Sequence, residues 1–397
     1  MKPKSFILIS KDALCKDYLH HYGEKPGQFA TPNLDELAAK GTIFNRHYCA
    51  APSTVMAFYS MCTGQFAHET DFQMYERCHF QYKGETIFTK LRDIGFDECH
   101  IVWDEDWGFL PEYFDYFRND VAIHNMEGFR ERVSFHKKIQ GAVKNDDIAA
   151  LKTLEMVKDK LVSLLSTDKS VFIWLHLPHV VRGRAGYGSD IDMFDKYIGM
   201  VRTLVPDSCI AITADHGNLN GYRGKLAYGF DVFERAASIP LITPRIEEME
   251  YYNGNTSAVD MFSIIFMHII PSREFIYCDT AYRAQKHRKL ALIYKNFKYI
   301  YSKCNGHEEL YDISYDIEEN FSLISDSSYD TDRKLSVLSR EEYYYPYWDI
   351  LPGIREKLRN EKDRIWRNGD LKVVLKSNIK DKLRPLYDRY IRLTGKI

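Results

Sequence analysis

Five short apolar runs, separated by stretches of helical period, constrain this chain more than any other feature. They lie at about 6–10, 99–103, 171–175, 209–213 and 238–242. Each is too short for a helix and shows little alternation of polar and apolar residues, so it reads as a strand buried on both faces. Between the second and third runs, Ile148, Leu151, Leu154, Val157, Leu161 and Leu164 recur at the spacing of one helix face. Residues 31–41 form a short helix with its own punctuation: Thr31 to cap it, Pro32 in the first turn and Gly41 at the end. Further helices are expected over about 54–64, 192–204 and 256–270. Strands alternating with helices predict an α/β fold, with a mostly parallel sheet between helices.

The pattern changes after Tyr282. Short strands at 289–294 and 297–301, parted by a turn-like Lys295-Asn296, join 309–312 in a predicted small antiparallel sheet. The expected division is a main α/β domain over 1–282, an antiparallel C-terminal subdomain over 283–325 and a mostly helical tail over 326–397. No run approaches the roughly 20 apolar residues that span a bilayer, so no transmembrane segment is expected. Met1-Lys-Pro-Lys leads straight into the first strand rather than into a secretory leader, which points to a cytoplasmic protein. The eight cysteines are irregularly spaced without a Cys-x-x-Cys pair, and read as reduced thiols, Cys78 beside His79 included. A formal net charge of -2 speaks against a nucleic-acid partner.

The polar groups at the strand ends carry the chemistry. Ala211-Ile-Thr-Ala-Asp-His-Gly217 is an apolar strand that stops in a carboxylate, an imidazole and a glycine. The first strand runs into Lys11 and Asp12, and Thr54 stands where a helix begins. Asp12, Thr54, Asp215 and His216 would together hold one divalent metal ion. Oxygen and nitrogen donors favour zinc or manganese and leave magnesium or calcium open. A cation neutralises a phosphate or sulfate ester and makes a hydroxyl such as that of Thr54 a usable nucleophile. Each residue alone has a plainer reading, Thr54 as a helix cap and Asp12 as a turn cap; their combination is what counts.

The stretch Ile9-Ser-Lys-Asp-Ala-Leu-Cys-Lys-Asp-Tyr-Leu-His-His-Tyr-Gly23, followed by residues 31–41, resembles the opening of the sulfatase family within the alkaline phosphatase superfamily. Thr63-Gly64 is similar to the pair closing that family's nucleophile helix, and Thr213-Ala-Asp-His-Gly217 to its second metal motif. Ser238-Ile-Pro-Leu-Ile242 resembles the strand after it, and Phe297-Lys-Tyr-Ile-Tyr301 with His307-Glu-Glu-Leu-Tyr-Asp-Ile313 its C-terminal subdomain. The resemblance implies an alkaline-phosphatase-like core and an ester-cleaving, metal-dependent activity. It implies His179 as the residue that binds a non-bridging oxygen or protonates the leaving group, with His176 beside it. Arg182 and Arg184 would grip an anionic substrate, and Lys11 would touch it or balance the carboxylates.

The departures set the expected function. Counted back from Thr63-Gly64, the family nucleophile falls on Thr54, where many sulfatases have Cys or Ser followed by Pro and Arg for conversion to formylglycine. Those two positions here are Met56 and Phe58. A threonine nucleophile is similar to that of the phosphoethanolamine and phosphoglycerol transferases. The family's second aspartate after the first strand is Ala13, and its next His or Lys falls on Tyr228, with Lys225 close by. The expectation is a phosphoester enzyme that transfers a phosphorylated head group to a glycan or lipid precursor, or hydrolyses a phosphodiester or phosphonate ester. The alternatives are a sulfatase without formylglycine and a degenerate binding member of the family.

Overall fold

The computed structural model describes residues 5–22, 29–69, 82, 84–104, 120–126, 146–178, 187–225, 228–280, 288–324, 347 and 349–366. The centre of the main sheet is β1 (Ser5–Lys11), paired in parallel with β5 (Val171–Leu177) on one side and β6 (Ile210–Ala214) on the other. Beyond β5 lie β3 (Glu98–Asp104) and β4 (Ala122–Met126), both parallel. Beyond β6 the direction reverses in β8 (Leu241–Pro244), which pairs antiparallel with β2 (Gly41–Tyr48). β7 (Ser238–Ile239) and β9 (Tyr251–Ser257) also pair with β2. The expected α/β fold with a mostly parallel sheet is present. Ile7, Leu8, Ile9, Phe172, Ile173, Trp174, Ala211 and Ile212 are fully buried, as the unbroken apolar runs require.

Three local expectations are corrected. The run 238–242 is two strands, because Pro240 has no N–H to give the ladder and parts β7 from β8. The segment 256–270 is not one helix: β9 runs through Ser257 and the helix covers only Met261–Met267. Gly41 ends α1 (Pro32–Lys40) as expected, its N–H on the Ala38 carbonyl. It opens β2 in extended backbone, where an added Cβ would lie 2.4 Å from the Thr243 carbonyl oxygen. Thr31, expected to cap α1, donates its hydroxyl to the Asp35 carboxylate instead. The helix with apolar residues at one-face spacing spans Asp146–Leu165, close to its predicted extent. Among the described residues, no helix is long and apolar enough to cross a membrane.

A second, antiparallel sheet follows in the order β10 (Ile276–Asp279), β11 (Lys289–Tyr294), β12 (Phe297–Ser302) and β13 (His307–Asp312). The helix at 351–366 covers it, packing Leu358, Ile365 and Trp366 with Leu290, Leu292 and Tyr299. The two sheets are joined through backbone, Asp279 N–H donating to the Ala50 carbonyl at 3.0 Å. They are joined again through a buried ammonium: Lys298 Nζ lies 3.1 Å from Glu234 and 2.9 Å from Glu319.

Burial, with the neighbouring Glu234 carboxylate, raises Glu319 above the usual carboxylate range, against the pull of Lys298. Folding therefore takes up a proton where the unfolded Glu319 is already ionised. Stability should fall as pH rises from the ordinary carboxylate range through the raised one. Glu319→Gln is expected to flatten that slope, read as melting temperature against pH. A slope identical to the parent's would contradict the assignment.

Candidate active site

Strand register brings the polar ends together. β1 pairs Lys11 with Leu177 of β5 and with Ala214 of β6, so the three parallel strands stop level. The next residues, Asp12 and Asp215, therefore emerge side by side in the crevice outside the carboxyl ends of the strands. β2 is antiparallel to β8 and β8 to β6, so β2 runs the same way as β1 and ends at the same edge. The chain after Tyr48 then turns into α2 (Thr54–Thr63), with Thr54 at its first position and Ser53 before it in extended backbone.

Asp12, Thr54, Asp215 and His216 are all buried and all meet. Thr54 Oγ1 is 3.2 Å from His216 Nε2. That nitrogen is 3.6 Å from Asp12 Oδ1 and 3.5 Å from Asp215 Oδ2. His216 Nδ1 lies 2.7 Å from the Gly217 carbonyl oxygen, which can only accept. Nδ1 therefore carries the proton, and the Nε2 lone pair faces the carboxylates and the threonine hydroxyl. Gly217 is seated by its N–H on the Ala236 carbonyl at 2.9 Å, and a Cβ there would lie 2.1 Å from the Arg235 carbonyl oxygen.

Asp215 is held from its other side. Its Oδ1 accepts the backbone N–H groups of Ala13 at 3.1 Å and of His216 at 2.7 Å, which turns Oδ2 toward the imidazole. Ala13 reaches it with φ of 55°, in the left-handed region, at the position where a second aspartate was looked for. Burial pushes the Asp215 carboxyl up to about 7, although the N–H groups of Ala13 and His216 and the Thr54 hydroxyl pull it down. The donor set fits a divalent cation: one atom each from Asp12, Asp215 and His216 lies within 4.8 Å of the others. Acceptors crowded in a buried place repel one another, and a cation converts that repulsion into attraction.

The remaining predicted residues divide. His179, Arg182 and Arg184 lie outside the described residues, as does Cys78. His176 is packed edge-on to Phe58 and against Trp103, with Nδ1 2.8 Å from Ser10 Oγ. Burial holds it neutral, well below the usual histidine range, which suits packing better than proton transfer. Lys11 donates to the Pro178 carbonyl at 2.6 Å and pairs with Asp190 at 2.9 Å, so its ammonium ties β1 to the helix Tyr187–Arg202. The Tyr228 ring lies 4.4 Å from that of His216, beside the cluster. Lys225 turns instead to Asp231, whose other oxygen takes Lys289.

Ser10 and Phe58 support this geometry. Ser10 Oγ accepts the Trp174 indole N–H at 2.7 Å while bonding His176, a role that no pattern around Ser10 announces. Phe58 is fully buried and stacked on Trp174 at 4.6 Å. Phe58, at the sequence position where the resemblance expects an arginine, is thus part of the apolar core.

A family model described as Sulfatase matches residues 4–269. No curated protein matches the chain by sequence. The phosphonate monoester hydrolase of Agrobacterium radiobacter is similar in structure, with a TM-score of 0.63 at 14% identity, covering 92% of this chain and 96% of that one. The phosphonate monoester hydrolase from Silicibacter pomeroyi gives 0.62 at 12% identity, covering 91% and 95%. BT1596, a 2-O GAG sulfatase, gives 0.64 at 14%, covering 92% and 93%.

Proposed function

The chain belongs to the sulfatase family, and from that membership we propose that it is a metal-dependent phosphoester enzyme with Thr54 as its nucleophile. The observation that carries the reading is the Thr54 hydroxyl 3.2 Å from His216 Nε2, among the buried carboxylates of Asp12 and Asp215. Asp12, Asp215 and His216 would hold the cation, with the Thr54 oxygen beside it. The bound ion supplies charge neutralisation for the ester and favours the ionised form of the threonine hydroxyl.

The residues of the chain then divide the work. Thr54 Oγ1, losing its proton, attacks phosphorus as the bond to the leaving alcohol breaks, and that alcohol departs protonated. Water or an acceptor alcohol next attacks the same phosphorus from the opposite side, taking the group and returning the threonine hydroxyl. The free N–H groups at the start of α2 favour the anion at this spot. Lys11, fixed by Asp190, keeps a positive charge behind the carboxylates. His179, Arg182 and Arg184 stay the candidates for protonating the leaving group and gripping the anion. Tyr228, set against His216, would border the substrate. When transfer wins over hydrolysis, the acceptor would be a glycan or lipid precursor.

The phosphorus preference rests on the sequence lacking the formylglycine pattern: Thr54 stands at the nucleophile position, with Met56 and Phe58 where the resemblance expects Pro and Arg. A panel of nitrophenyl phosphate monoester, phosphodiester, phosphonate monoester and sulfate tests it, each with zinc, manganese, magnesium or calcium. A phosphodiester or phosphonate is expected to exceed sulfate by about tenfold or more in kcat/KM. Sulfate preferred by a wide margin would instead make the chain a sulfatase that works without the aldehyde. Adding glycerol separates transfer from hydrolysis through the appearance of a glycerol ester.

A further inference from the structure

A second set of metal-ligating side chains meets on the turn that follows β1. We infer that His20, His21 and Asp35 form a second divalent-cation site, of the zinc type, fastening that turn to the start of α1. His20 Nδ1 lies 3.4 Å from Asp35 Oδ2, and His21 Nε2 lies 3.4 Å from Asp35 Oδ1. One ligand atom from each of the three lies within 4.8 Å of the others. Bonds of about 2.0–2.1 Å in a tetrahedron set neighbouring ligand atoms about 3.3 Å apart, which each histidine–carboxylate separation suits; the two histidines reach opposite oxygens of Asp35, so an ion between them would engage that carboxylate.

The three groups are placed by independent anchors. Asp35 sits in the first turn of α1, its N–H on the Thr31 carbonyl at 2.8 Å and its Oδ1 accepting the Thr31 hydroxyl at 3.1 Å. Tyr22, next to His21, pins the turn to β8: its hydroxyl donates to the Leu241 carbonyl at 2.9 Å and accepts the Leu241 N–H at 3.1 Å. Two consecutive histidine rings thus come to the same side, their centroids 5.4 Å apart. Two imidazoles with one carboxylate select a zinc-class ion over magnesium or calcium. His20 is 54% exposed, so water can complete the coordination.

The test uses the full chain carrying Asp215→Asn, which weakens the other cluster, titrated with cobalt(II) by visible absorption and with zinc by calorimetry. One equivalent should bind at micromolar or lower concentration. His20→Ala and His21→Ala, each added to that background, should weaken it by about tenfold or more. Binding only at millimolar metal, or binding indifferent to both histidine substitutions, overturns the site. If Asp215→Asn does not fold, the parent and its His20→Ala/His21→Ala variant are compared by metal analysis. A loss of one equivalent then supports the site, and an equal metal content overturns it. No arm measures ester turnover, so the result is independent of the proposed function.

Discussion

Thr54→Ala is expected to lower kcat/KM for every ester the protein turns over by about a thousandfold or more. The substitution removes the hydroxyl that faces His216 Nε2 and leaves the cluster of Asp12, Asp215 and His216 otherwise in place. The fold should survive, because Thr54 stands at the first helical position of α2, after Ser53, and alanine suits a helix. Thr54→Ser, which restores the oxygen, should recover measurable turnover. A nucleophile can thus be told from a merely structural threonine: Ala and Ser should separate widely in rate and hardly at all in melting temperature. Unchanged rates in Thr54→Ala would mean that another group attacks.

The second large effect is a crossover in stability. Asp215→Asn keeps an oxygen to accept the N–H groups of Ala13 and His216, and puts an amide N–H where Oδ2 faces the His216 lone pair. With metal chelated, the variant should melt above the parent. The parent's carboxyl, pushed up to about 7 by burial, is costly to ionise there, and an amide is not. With zinc or manganese present the order should reverse. A parent at about 100 times its Kd gains about 2.7 kcal/mol from the ion, while the variant gains little. Turnover should drop about a hundredfold or more in the same variant. Thermal melts of both proteins, with chelator and with each metal, decide the matter. A parent that melts identically in both conditions does not use this cluster for a cation.

Much of this was readable before any coordinates, and the reason is burial. A strand covered on both faces must be written as an unbroken apolar run, so β1, β5 and β6 stood out, together with the charged residues that end them. β2 was not read as a strand, because Asn45, Arg46 and His47 interrupt its apolar residues. Its polar end is tolerated because His47 Nδ1 finds the Thr256 hydroxyl at 2.9 Å and Arg46 finds Asn296 at 2.6 Å. Both partners lie more than two hundred residues away in the chain. Chain distance also hid the fate of Lys11, which reads as a substrate contact until Asp190, 179 residues away, is seen to hold it; Lys225 is held by Asp231 only six residues on, but nothing in the local pattern marks that pairing. Asp12 and Asp215 were legible as strand ends. That they emerge level depends on register, which pairing sets and local sequence does not.

Lys298 has a further consequence. Its ammonium arrives from the C-terminal sheet and meets Glu234, on the same four-residue helix whose Ala236 carbonyl seats Gly217 beside His216. Cutting the chain ahead of β11 would take the closest cation from a buried carboxylate, leaving it to Lys16 and the Ser238 hydroxyl, and loosen the ledge on which the imidazole rests. The smaller sheet is therefore no detachable ornament: the evolutionary freedom to trim it, or to swap it for another module, ends at one lysine.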